Sequence, residues 1–235
     1  MDRKCLIVLS VALLAIAIVP AAQAGLVTCR TGSGCLNGND SYDWTTNFGI
    51  PFTLVQQGSV ATSFGGVTAI VTYAGGPSGV KTGQRLDQGT NPLWAGNFNP
   101  GDELLDAGGA EPPNAPRGSG PLSFSFGSTI FGLGANIQAA FYGAFTAQLC
   151  DTNGMCVSET GMSNPNADGS AIFIGLHDSA GFAGATFSVT ACSQDCAAFA
   201  INQLDISTVP EPGSMLLLGS GLVGAVAYGR RRLGF

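Results

Sequence analysis

Through the middle of the chain, apolar and polar residues exchange at every second position, in short runs broken by glycine, proline, asparagine and serine. Leu122-Ser123-Phe124-Ser125-Phe126 alternates strictly, so Leu122, Phe124 and Phe126 share one face of a strand. Thr186-Phe187-Ser188-Val189-Thr190 repeats the pattern with Phe187 and Val189 inward. Further strands are predicted at Phe52 to Gln56, Val67 to Tyr73, Ile130 to Gln138, Phe145 to Cys150, Val157 to Thr160, Ala171 to Leu176, Phe199 to Ile201 and Leu204 to Ile206. No stretch between Gly25 and Thr208 keeps a helical period. Many short strands without helices predict an all-β fold, a two-sheet β-sandwich of jelly-roll-like form. No fixed-period repeat supports a β-helix. Gly75 to Gly120 departs from the pattern: it is turn-rich around Asn91 to Asp102 and proline-dense over Glu111 to Pro116. It is expected as a long loop over one edge or mouth of the sandwich.

The two ends are apolar for a different reason. Arg3 and Lys4 precede an apolar run from Cys5 to Val19, and Ala22-Gln23-Ala24 follows. A basic start, a short hydrophobic stretch and small residues at a cleavage site make a signal peptide, to be cut between Ala24 and Gly25. At the other end a fifteen-residue uncharged run, Met215 to Gly229, is followed by Arg230, Arg231 and Arg232. The run is below the roughly 20 residues of a comfortable span. Local thinning of the bilayer and snorkelling of the arginines make up the difference. The arginines should stay cytoplasmic. Three parts follow: a signal helix at 1–24, an extracytoplasmic domain at 25–208, and a sorting signal with a transmembrane helix at 209–235.

Val209-Pro210-Glu211-Pro212-Gly213-Ser214, the short Gly- and Leu-rich span and the arginine cluster together resemble the PEP-CTERM sorting signal of Gram-negative bacteria. The resemblance implies an exosortase as partner, cutting near Pro210 to Pro212. The chain would then be held at the inner membrane by its C-terminal helix and, once processed, pass to the cell envelope or outside. The secretion translocon and signal peptidase are the earlier partners. Segments such as Gly96-Asn97-Phe98-Asn99-Pro100-Gly101-Asp102 and Phe131 to Ile137 also resemble β-sandwich domains common in PEP-CTERM proteins, a class without an assigned activity.

The stretch 25–208 holds four basic and thirteen acidic residues, a net charge of −9. That excludes a nucleic-acid partner, which needs a basic face. Of seven cysteines, Cys5 leaves with the signal and six remain in an oxidising compartment. Their spacing predicts local bridges Cys29–Cys35, Cys150–Cys156 and Cys192–Cys196. Zinc is disfavoured by the same spacing and by the lack of a nearby histidine.

Candidate chemistry is thin, and the chain is expected to be no enzyme. His177, the single histidine, stands beside Asp178 and Ser179, but neighbours on a strand point to opposite faces. Asp102, Glu103 and Asp106 are the candidate carboxylates of a secreted hydrolase. Asn166 and Asp168, in Asn164 to Gly169, are candidate ligands of a structural calcium, and no other cofactor is expected. Tyr42, Trp44 and Trp94, with Phe98, lie in turn-rich segments and are candidate stacking platforms for an exopolysaccharide. The reading favoured is an exported structural or interaction protein. A polysaccharide-binding module is its first rival and a hydrolase its second.

Overall fold

A computed structural model describes residues 26–30, 32–76, 79–89, 94, 97–108, 118–164 and 169–209. The expected signal helix and C-terminal membrane helix lie outside these residues. Among those described, no helix is long and apolar enough to cross a membrane.

The elements are β1 (Leu26–Cys29), a 3-10 turn (Ser33–Leu36), β2 (Asp40–Tyr42), α1 (Trp44–Phe48), β3 (Leu54–Gln56), β4 (Val60–Thr62), β5 (Thr68–Tyr73), β6 (Thr82–Asp87), β7 (Glu103–Asp106), β8 (Leu122–Ala139), β9 (Gly143–Asp151), β10 (Cys156–Ser163), β11 (Ile172–Ala191), β12 (Phe199–Ile201) and β13 (Leu204–Ser207). The all-β expectation holds. The described strands form one large hydrogen-bonded sheet, and every pairing is antiparallel.

Two strands are far longer than the sequence pattern predicts. The runs 122–126 and 130–138 are one 18-residue strand, β8, and, but for Ala171, the runs 171–176 and 186–190 fall within one 20-residue strand, β11. The intervening residues stay extended because each half finds different neighbours. Early β8 pairs with β5 and with late β11, which also pairs with β9. Late β8 pairs with early β11, β12 and β13, and early β11 also takes β1. Two limbs result, continuous through β8 and β11 rather than separate sheets.

The burial parity shows the bend. Leu122, Phe124, Phe126 and Ile130 face inward at even positions, but Leu133, Ala135 and Ile137 do so at odd ones. In β11 the inward set shifts from Ile174, Leu176 and Phe182 to Ala185, Phe187 and Val189, across register shifts between His177 and Gly184. Gly181 sits in that irregular stretch at φ +73°, a conformation a Cβ disfavours. By shifting parity at the bend, both limbs present apolar side chains to a single core, which joins Val71, Phe124 and Phe145 to Leu133, Ile174 and Ile206.

Where a loop was expected over Gly75 to Gly120, β6 and β7 complete the second limb. Thr82-Gly83-Gln84-Arg85-Leu86-Asp87 has no apolar alternation, and Gly83 to Leu86 are all buried. Leu86 and Leu104 pack with Trp94, Phe98 and Ala200 in a second, smaller core.

Candidate functional site

The expected sugar platforms are core residues. Tyr42 and Trp44 are fully buried and Trp94 is 1% exposed, so none presents a ring face to solvent. Trp44 stacks on Phe48, Phe124 and Tyr42 at centroid distances of 5.8, 6.2 and 6.3 Å. Its indole N–H donates to the Asn202 carbonyl at 2.8 Å. Trp94 meets Phe98 edge-on at 5.9 Å. Tyr42 ends β2 and Trp44 opens α1, and partners distant in sequence cover both rings. The Tyr42 hydroxyl has its pKa pushed up by burial and then by Asp40. Tyr73 is raised likewise, by burial and then by Asp106.

The acids named as hydrolase candidates are spread apart and engaged. Asp102 accepts from the Asn99 amide at 3.2 Å and from Asn202 Nδ2 at 3.3 Å. Glu103 accepts from the Thr45 amide at 2.8 Å and from its hydroxyl, and pairs with Arg85 at 3.4 Å. Asp106 is buried and accepts from the Gly108 amide at 2.6 Å. Three positions apart on one strand, Glu103 and Asp106 point to opposite faces. His177 is fully buried on β11, opposite Gly132 of β8. Its neighbour Asp178 turns to another group, accepting from Asn153 Nδ2 at 2.9 Å and from the Ala180 amide at 2.8 Å.

Sequence reading missed Arg85. Its guanidinium is 3% exposed and paired with Asp87 and Glu103, and it donates to the Thr45 hydroxyl. The spacing Arg85-Leu86-Asp87 held the signal, since i and i+2 share a strand face. A buried, paired charge fixes α1 against β6 and β7.

Three disulfides join Cys29 to Cys35, Cys150 to Cys156 and Cys192 to Cys196, with Cα separations of 5.7, 4.1 and 5.5 Å. Cys150 and Cys156 face each other directly in the β9–β10 register. The Asp151 carboxylate organises the turn between them, accepting from the Asn153 and Met155 amides at 2.8 and 2.9 Å. Asn166 and Asp168, the candidate calcium ligands, lie outside the described residues. Among the described residues no group of three or more His, Cys, Asp or Glu is placed to hold a metal.

The C-terminal end of the domain is tied down. β13 lies between β2 and β8. Beyond it, the Thr208 amide donates to Asn39 Oδ1 at 2.9 Å, and Asn39 Nδ2 donates to the Thr208 hydroxyl at 2.8 Å. Next to this clasp is an open cleft of about 400 Å³ lined by Asn39, Asp40, Ser41, Phe64 and Asp205. Phe64 is another residue the pattern did not single out.

Residues 208–232 match the PEP-CTERM protein-sorting motif. The match begins at Thr208, one residue past the last described strand, and leaves the described β domain outside it. Of the expected processing and sorting residues Ala24, Gly25, Val209, Pro210, Glu211, Pro212 and Arg230 to Arg232, Val209 alone lies within the described residues. No curated protein and no solved structure matches the chain. The chain carries the sorting signal of an exported protein that an exosortase processes at the membrane.

Proposed function

We propose that this chain is a non-enzymatic protein of the cell envelope or extracellular matrix. Its two limbs act as the layers of a β-sandwich, delivered across the membrane and then released from its anchor. The observation that carries this reading is the position of the sorting motif, which starts one residue past the last described strand. Translocon and signal peptidase handle the N-terminus, with cleavage after Ala24. The span from Met215 holds the chain in the inner membrane, and Arg230 to Arg232 keep its end in the cytoplasm. Exosortase then cuts near Pro210 to Pro212.

A structural or interaction role is supported by three disulfides and an extensive ladder, features suited to a domain that must persist outside the cell. A secreted hydrolase is the weaker reading. His177 is buried, and the carboxylates at 102, 103 and 106 are committed to neighbouring amides and to Arg85.

Mass spectrometry of the protein recovered from its host tests the scheme. Chain ends near Gly25 and Pro210 and no free thiols are expected. A product that keeps both Met1 and Phe235 overturns it.

A further inference from the structure

The turn from β4 to β5 holds Phe64 with 71% of its surface exposed, beside the cleft formed by Asn39, Asp40, Ser41, Gly65 and Asp205. The turn is fixed from several sides. Asp40 accepts from the Gly65 amide at 2.7 Å and from the Ser63 hydroxyl. The Phe64 amide donates to the Ser41 carbonyl at 3.0 Å, and the Ser63 amide to the Val67 carbonyl at 2.9 Å. A ring that contributes little to the core is therefore presented on an over-determined backbone. Its partner must be one with an apolar face and polar edges, because the floor below is polar. Ser41 Oγ accepts from Gln203 Nε2 at 2.8 Å and so has its own proton to donate. Asn39 and Asp205 add an amide and a carboxylate to the wall.

We propose that this cleft binds one unit of a polysaccharide lacking acidic groups, with Phe64 stacked on the C–H face of the ring and Ser41 and Asp205 at its hydroxyls. A few convergent polar groups beside one aromatic surface are the usual make-up of such a site. No Lys or Arg lines the cleft, and two aspartates do. That charge excludes uronates and other anionic glycans. It also disfavours an anionic lipid surface, the other apolar contact available to a ring near the chain's exit at Thr208. The inference goes beyond the processing scheme and does not depend on where the chain is cut.

The test uses the protein as its host exports it. Titration calorimetry is run with cellohexaose, a chitosan hexamer and an alginate hexamer. Sedimentation is run with phosphatidylglycerol-containing vesicles. Cellohexaose or the chitosan hexamer is expected to bind and alginate is not. Phe64→Ala should weaken binding roughly tenfold, the value of one lost stacking contact. Phe64→Tyr should retain binding, and neither variant should shift the unfolding midpoint, since the ring is exposed. The proposal is overturned by any of four results: no hexamer bound, alginate bound best, binding unaffected by Phe64→Ala, or Phe64-dependent vesicle binding without glycan binding.

Discussion

Replacing Trp44 by alanine separates a core residue from a ligand platform. The ring is fully buried and stacked on three others. Truncating a buried Trp costs about 3–5 kcal/mol, and the broken bond to Asn202 falls within that figure. Against a total of about 5–15 kcal/mol, that is a large share of the domain's stability. At about 2–4 °C per kcal/mol for a domain of this size, a loss of about 4 kcal/mol lowers the thermal midpoint by about 8–16 °C. Trp44→Phe keeps a stacking ring and loses mainly volume and the hydrogen bond, so about 1–2 kcal/mol is expected. Urea unfolding followed by far-ultraviolet circular dichroism, with disulfides intact, measures both variants. An exposed sugar platform makes the opposite forecast, lost binding at unchanged stability. A Trp44→Ala midpoint equal to that of the parent refutes the packing argument.

Two further perturbations follow from the same structure. Replacing Cys150 and Cys156 together by serine opens a small loop whose ends are 6 positions apart and should cost about 2 kcal/mol in the same urea experiment; an unchanged midpoint would show that the Asp151 turn alone pins the hairpin. For pH, Tyr42 and Tyr73 have folded pKa values raised above the ordinary value of 10.0, so the folded state keeps them neutral while the unfolded chain ionises. Their contribution is fully present below pH 10.0 and declines above it, by about 1.4 kcal/mol per pH unit for each tyrosine. Urea midpoints measured across that range should fall, and a flat profile refutes the burial of both hydroxyls.

Much of the β domain could be read in advance where a local pattern decides structure. Leu122 to Phe126 and Thr186 to Thr190 alternate because one face of each is core, and both are strands. Cysteines four or six residues apart reach each other almost regardless of the fold around them. The sorting motif was legible because its recognition depends on linear chemistry. Other features depend on partners distant in sequence. Gly127 to Thr129 look like a break, yet they stay extended because neighbouring strands hold both flanks of β8. Thr82 to Asp87 look like a loop, yet β3 on one side and β7 on the other make them a strand, and Arg85 is neutralised there by Asp87 and Glu103. Trp44 was misread for the same reason: Asn202 and Phe124 bury it. Phe64 is exposed because Asp40, more than twenty positions earlier, fixes its turn, and no local signal carries that.

The boundary between domain and sorting signal follows from what each residue can donate. β13 is paired on both sides through Asp205 and Ile206, and Ser207 continues the ladder with β8. Past that point Asn39 replaces the ladder, taking the Thr208 amide on its side-chain oxygen and returning a bond to the Thr208 hydroxyl. Pro210 and Pro212 have no N–H, and the residue before a proline is steered away from helix. Past Val209, neither proline has an N–H to donate to a further ladder bond along β2. The last clasped residue, Thr208, stands two positions before Pro210. An enzyme that cut near Pro210 to Pro212 would therefore act within a few residues of the Asn39 clasp.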